Sequence, residues 1–280
     1  MSPRAALTLA RADLVVAESS RGASEALRVA GRLASRLGGP GMAGLSTPPV
    51  LECDEASTAA VTSKLLAAFR SGSVRRAALI SDAGTPAVSD PGCRLVAACH
   101  GAGVRVSPVP GPSAVVAALS ASGEGSFDGF CFWGWVPRKS SRRGRFLVEL
   151  SLERRPVVVL ESAARLLGVL EEAAGVPALA SRPVVVCREL SKAHETVARH
   201  GGAAEAAAWA RGHTLRGEVT VVFGAAPAPA LREAEQGETG AWGRAASALR
   251  AKGLDPNEVA ACLHDAGCGV ACNESRKGAR

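Results

Sequence analysis

An apolar run from Ala77 to Ile80 breaks into Ser81-Asp82-Ala83-Gly84-Thr85-Pro86-Ala87-Val88-Ser89-Asp90-Pro91-Gly92, a stretch of small, turn-forming and acidic residues. That pattern marks a buried strand opening onto a loop at a sheet edge. Open α/β sheets bind ligands at the carboxyl ends of their strands. Gly84 permits close backbone approach, and the Asp82 carboxylate can accept from a cation or a hydroxyl. A second loop of the same kind, Val109-Pro110-Gly111-Pro112-Ser113-Ala114, follows another apolar run. Ser113 and Ala114 open a helix, where unpaired N–H groups can meet an acceptor. The chemistry on offer at Asp82, Gly84, Ser113 and Ala114 is ligand holding. The alternative is a pair of proline-fixed turns shaped for folding.

Two further strand ends carry charge. Glu161-Ser162 follows the apolar run Val157 to Leu160, with Arg165 one turn on. Glu161 is either a general base or a carboxylate that orients an arginine, and as a plain alternative it is a helix-start acid beside the positive dipole. Arg188-Glu189 ends the next apolar run, with Lys192 nearby; the pair is an ion pair in a site or a phosphate contact. Glu161, Arg188 and Glu189 are thus the candidate catalytic residues. Phe130, Phe132, Trp133 and Trp135 stand just before Arg138, Lys139, Arg142, Arg143 and Arg145. Aromatics stack on unpaired bases and adjacent cations meet phosphates, which makes Trp135 and the five cations the candidate nucleic-acid contact. The opposing assignment is a buried aromatic strand followed by a solvated basic helix start.

The elements that must position these residues alternate. Helix Ala5 to Ala12 leads into a strand from Asp13 to Glu18. Ser20 is placed to cap the helix that carries Ala23, Leu27, Ala30, Leu33 and Leu37 on one face. Strands at 50–53, 77–80 and 104–107 alternate with helices marked by Val61, Leu65, Ala68 and Phe69, by 95–102, and by 113–122. The second half is expected as strand 130–136, helix 141–152, strand 156–161, helix 163–173, strand 183–188 and strand 218–223. The alternation argues for an α/β fold, with a mainly parallel sheet in the first half. The expected organisation is an α/β domain at 1–123, a second at 124–224, a linker at 225–240, and a helical tail at 241–280.

Composition narrows the classes. The chain of 280 residues is 47% hydrophobic, long enough for two domains with sizeable cores. Tyrosine is absent, so Ala, Val and Leu must fill those cores. The net charge of +7 suits a polyanionic partner, though arginine excess also follows from a GC-rich genome. The eight cysteines lack metal-ligand spacing, so no metal site is expected, and reduced thiols point to a cytoplasmic location. No apolar run is long enough for a membrane span, and residues 1–12 lack a signal-peptide core.

The ordered set of motifs resembles the tetrapyrrole-methylase superfamily. The blocks SDAGTP…SDPG and PGPSA carry it, and Glu18-Ser19-Ser20-Arg21 resembles the family's E-D-T-R. Phe130 to Lys139, Glu161-Ser162, Arg188 to Lys192 and Arg216-Gly217-Glu218 follow in order, over residues 3 to 224. Within the superfamily the chain resembles the ribosomal RNA small-subunit methyltransferase I group. The resemblance implies two α/β domains with a methyl-donor cleft between them, plus a helical tail. It implies S-adenosylmethionine (AdoMet) as cofactor, held by the residues from Ser81 to Thr85 with Ser113 and Ala114. It implies methylation of a cytidine ribose 2′-hydroxyl in small-subunit ribosomal RNA, presented as RNA or a 30S-type particle, by a homodimer. The family opens with a strand and a Pro/Gly/Asn-rich loop, whereas Met1 stands at its first helix, so the first domain is expected to lack that strand. Two alternatives remain: a tetrapyrrole or other small-molecule methylase, and an inactive truncated homologue.

Overall fold

The computed structural model describes residues 1–37, 47–125, 129–226 and 247. The chain divides into a first unit, Met1–Ser113, and a second that begins at Ala114.

In the first unit, α1 (Pro3–Ala10) precedes β1 (Leu14–Ala17), α2 (Ser20–Arg36), β2 (Val50–Glu52), α3 (Thr58–Ser71), β3 (Ala77–Ile80) and α4 (Cys93–Gly101). The three strands form a parallel sheet in the order β2-β1-β3. Each parallel neighbour needs a helical crossover, supplied by α2 and α3. All four residues of β1 are buried, because both faces of the sheet are covered. Val15 and Ala17 pack with Ala6, Leu9, Ala23 and Ala30 of α1 and α2. Leu14 and Val16 pack with Val61, Leu65, Leu95 and Cys99 of α3 and α4. The strand expected at 104–107 is absent. The Val104 amide closes the end of α4 by donating to the Cys99 carbonyl at 2.9 Å, and Arg105 to Ser107 lie exposed.

The second unit contains α5 (Ala114–Ser122), β4 (Cys131–Trp135), α6 (Ser140–Leu152), β5 (Val157–Ser162), α7 (Ala163–Ala174), α8 (Pro177–Ala180), β6 (Val184–Arg188), β7 (Thr196–His200), α9 (Ala203–Arg211) and β8 (Glu218–Phe223). Its sheet runs β4-β5-β8-β6-β7. Only β4 and β5 are parallel. β8 lies antiparallel between β5 and β6, and β7 folds back antiparallel on β6. The sheet is therefore mixed, whereas the first unit's sheet is parallel as its alternation implied. Helices α6 to α9 bury one face over the main core. Helix α5 packs on the other, where Val115 and Ala118 meet Val158, Val185, Cys187 and Val222. That helix, which sequence alone assigned to the first domain, thus packs on the second sheet. The linker expected at 225–240 and the helical tail at 241–280 lie outside the described residues, apart from Ala225, Ala226 and Ser247. No helix among the described residues is long and apolar enough to cross a membrane.

Candidate functional site

The carboxyl ends of β1, β2 and β3 are tied together around the start of α2. Ser19 caps that helix, with its hydroxyl oxygen accepting from the Gly22 amide at 3.0 Å. The same hydroxyl faces the Asp82 carboxylate, 2.8 and 2.9 Å from its two oxygens. The Ser20 amide donates to Glu52 Oε1 at 2.7 Å, and hydrogen bonds from Ser20 hold the Glu52 carboxyl below the usual carboxylate range. Two carboxylates therefore complement the positive end of the α2 dipole. Gly22 allows this convergence, since a Cβ there would stand 2.1 Å from Asp82 Oδ1. The cap is Ser19, not Ser20, and the role of Gly22 carries no local sequence signature because its partner lies far along the chain.

Beyond Asp82 the loop is exposed and its backbone is constrained. Gly84 has φ +84°, and a Cβ there would meet nothing within 4 Å. Ala87 and Ser89 hold φ values of 66° and 61°, the left-handed region that costs a non-glycine residue about 1 kcal/mol or more. Such strain persists only where surrounding structure enforces it. Ser81 Oγ donates to the Ala83 carbonyl at 3.1 Å, and Thr85 Oγ1 donates to the Pro112 carbonyl at 3.2 Å. The last bond joins the two loops singled out by sequence. Among the described residues, no acceptor meets the amides of Ala83, Gly84, Thr85, Gly111 or Ser113. The two loops therefore keep backbone donors that the described chain does not use. Ala114 is the first residue of α5.

In the second unit, one edge of the sheet gathers the carboxyl ends of β4, β5 and β6 and the amino ends of β7 and β8. Glu161 and Arg188 both pair in register with Val219 of β8, so they share a face, two strands apart. Glu161 is 1% exposed. Its Oε1 accepts from the Ser162 amide at 2.7 Å, and its Oε2 lies 3.1 Å from Arg165 Nη2, an ion pair without hydrogen-bond alignment. Arg188 donates to the carbonyls of His194 and Arg216, at 2.9 and 3.3 Å, and to Thr196 Oγ1 at 3.1 Å. Glu189 sits at φ 49° and takes the Lys192 ammonium at 3.0 Å and the Glu218 amide at 3.2 Å. The Lys192 bond, then the Glu218 amide, hold its carboxyl low. All three candidate catalytic groups have partners in the neighbouring chain, while Glu161 Oε2 and Arg188 Nε are buried without a hydrogen-bond partner in the described residues.

The aromatic and basic segment divides. Trp133 packs edge-on against Phe146, ring centroids 5.3 Å apart, and Phe132 packs against the α5 face. The β4 register shifts between Phe132 and Gly134, and Trp135 emerges 50% exposed. Arg138, Lys139, Arg142 and Arg145 stand toward solvent at the opening of α6. Arg143 does not: Nε and Nη2 bind Glu172 at 2.8 and 2.5 Å, and Nη1 binds the Arg138 carbonyl at 2.9 Å. Its guanidinium is already committed to the protein, and Glu172, one helix away, was not singled out by sequence.

The chain's sequence is similar to known proteins. Residues 1–207 match the family described as Tetrapyrrole (Corrin/Porphyrin) Methylases. A Mycobacterium tuberculosis protein named Ribosomal RNA small subunit methyltransferase I is 45% identical over 228 residues, 81% of this chain and 73% of the relative. A Synechocystis protein of the same name is 36% identical over 81% of this chain and 75% of its own length. Among solved structures, a cobalamin biosynthetic enzyme, cobalt precorrin-4 methyltransferase, matches 80% of this chain and 90% of its own at 18% identity and a TM-score of 0.52, a likeness of fold. The two α/β units, the loops after β3 and before α5, and the extent of these matches agree: the chain belongs to the tetrapyrrole methylase family.

Proposed function

We propose that this protein is an AdoMet-dependent methyltransferase that methylates a cytidine ribose 2′-hydroxyl of small-subunit ribosomal RNA. The observation that carries the reading is the 45% identity, across 81% of the chain, to relatives named for small-subunit ribosomal RNA methylation. The first unit fits the cofactor. AdoMet presents adenine, ribose and amino-acid groups that need hydrogen-bond partners, and the amides of Ala83, Gly84, Thr85 and Ser113, unpaired among the described residues, offer donors. Asp82 offers an acceptor, and the open space at Gly84 lets a ligand reach the backbone. When bound, AdoMet supplies an electrophilic methyl group on a sulfonium sulfur. Ser81 to Thr85 and Ser113 hold it, and the Ser19 and Thr85 hydroxyls fix the loops that do so. Positioning of this kind supplies much of the rate enhancement of a displacement.

The exposed Trp135, with Arg138, Lys139, Arg142 and Arg145, meets RNA. Glu161, Arg188 and Glu189 act by holding the sheet edge beside that segment, since both carboxylates and the Arg188 Nη atoms already have chain partners. The protein works in the cytoplasm as a homodimer, which light scattering on the purified protein tests. The function itself is tested by transfer of labelled methyl from AdoMet to small-subunit RNA and to 30S-type particles, with the product nucleotide identified by mass spectrometry. A 2′-O-methylcytidine product is expected, with loss of AdoMet affinity in Gly84→Val. Transfer to a tetrapyrrole acceptor and not to RNA would overturn the reading.

A further inference from the structure

Strand β4 ends at Trp135, and the chain then runs through Val136, Pro137, Arg138 and Lys139 before α6 begins. Three successive carbonyls in this run are held by arginines from two helices. Arg165 Nη2, on α7, donates to Val136 O at 3.2 Å and Pro137 O at 3.0 Å. Arg143 Nη1, on α6, donates to Pro137 O at 3.4 Å and Arg138 O at 2.9 Å. Each guanidinium is anchored from behind by a carboxylate, Arg165 by the buried Glu161 and Arg143 by a two-point bond to Glu172. The planar fork of arginine can bind a carboxylate and carbonyls at once, and a lysine ammonium cannot reproduce that geometry. On the outer side of the run, Trp135, Arg138 and Lys139 are exposed, and no described residue pairs with the side chain of Arg138 or Lys139.

We propose that Arg143 and Arg165 form a double clamp on the Val136–Arg138 backbone, making them positioning residues for RNA recognition. The inference rests on the assignment of the Trp135–Arg145 segment to RNA. An isolated surface ion pair contributes little. A clamp on three carbonyls does more, because a segment already ordered in the free protein loses less entropy when a ligand binds. Arg143 then serves RNA through the backbone it holds, while Arg138, Lys139 and Arg142 meet phosphates.

Salt dependence separates these roles. Neutralising a phosphate contact lowers the slope of log affinity against log salt by roughly 0.7 to 0.9. A clamp variant weakens binding and leaves that slope alone. Arg165→Gln strands the buried Glu161 charge and can unfold the unit, so the decisive variants are Arg143→Lys and Glu172→Gln, with melting curves as control. The probe is a small-subunit ribosomal RNA transcript, titrated over a range of salt. Both variants are expected to bind it about tenfold more weakly, the scale of re-ordering a few side chains, with wild-type salt slope and wild-type AdoMet affinity. Arg138→Ala/Lys139→Ala should lose slope. Wild-type RNA affinity in both clamp variants overturns the proposal. So does a reduced slope in Arg143→Ala with near-normal binding by Arg143→Lys, which makes Arg143 a phosphate contact. An Arg138→Ala/Lys139→Ala protein with unchanged affinity and slope removes the RNA assignment itself, and the clamp's role with it.

Discussion

Replacing Gly22 by alanine sets two opposing effects against each other at the start of α2. Alanine in a helix is favoured over glycine by about 0.5–1 kcal/mol, and a first-turn position takes the low end of that range. Against this, the new Cβ would stand 2.1 Å from Asp82 Oδ1 and 3.2 Å from Ser19 Oγ. The carboxylate must withdraw and lose the Ser19 hydroxyl. A hydrogen bond to a charged group is worth roughly 1.5–3 kcal/mol, and the solvent exposure of this pair reduces that to about 1–1.5. The net expectation is a loss of about 0.5–1 kcal/mol, which lowers the melting temperature by a few degrees.

The sign of the effect depends on Asp82. In an Asp82→Ala background the collision with the carboxylate is gone, and the helix preference stands against only the 3.2 Å approach to Ser19 Oγ, a hydroxyl freed to shift by a few tenths of an ångström. Gly22→Ala should there stabilise by about 0.5 kcal/mol, a reversal that a double-mutant cycle by urea unfolding resolves. AdoMet affinity, measured by calorimetry, should fall in Gly22→Ala alone, because the Asp82 loop has been pushed off its anchor. Equal effects of Gly22→Ala in both backgrounds would refute the coupling of α2 to the loop after β3.

Arg182 is fully buried and donates to the carbonyls of Leu150, Arg155 and Gly224, and burial lowers its pKa to about 10. Arg182→Met should destabilise by roughly 3 kcal/mol or more in urea unfolding, since each stranded buried carbonyl costs about 1–3 kcal/mol. The Glu153 carboxyl is pulled from 4.5 to about 2, chiefly by hydrogen bonding from Arg155. A carboxyl depressed in the folded state contributes stability that is present above its ordinary pKa of 4.5 and lost as pH falls toward about 2. Unfolding free energy should therefore decline across that window, and less steeply in Glu153→Gln.

Strands with continuous apolar runs were legible because both sheet faces are covered, as at Leu14–Ala17 and Val157–Leu160. The loops after β3 and before α5 were legible because glycine and proline mark them locally. Strand β7 escaped: Thr196–His200 is half exposed at the sheet's edge, and Arg199 and His200 dilute its pattern. The run at 104–107 misled, because the half-buried Val104 that closes α4 and the exposed Val106 beyond it have the same letters as a short strand. Parallel and antiparallel pairing could not be told apart, since β8 inserts between β5 and β6 from far along the chain. Within the site, residue types were legible and partners were not. Ser19 meets Asp82 across 63 positions, and Arg143 meets Glu172 across 29. Arg143 in a run of cations reads as a solvated charge, and only the fold shows that its guanidinium is already bound.

The starts of α2 and α6 make opposite electrostatic choices, and the contrast bears on what each edge can hold. A helix N-terminus favours nearby anions and disfavours cations. At α2 the protein supplies that charge itself, with Asp82 and Glu52 bonded to Ser19 and Ser20. A phosphate arriving there would meet two carboxylates, whereas a ligand bearing a sulfonium would not be repelled. At α6 no acid stands in the first turn and no side chain caps the helix, while Lys139, Arg142 and Arg143 crowd its opening. Arg143 is compensated by Glu172, but among the described residues Lys139 and Arg142 have no counter-charge. Folding alone disfavours that accumulation, and phosphates would relieve it. The division of charge thus suits a cationic donor at the first unit's loops and a polyanionic acceptor at the second unit's basic edge, as an RNA methyltransferase requires.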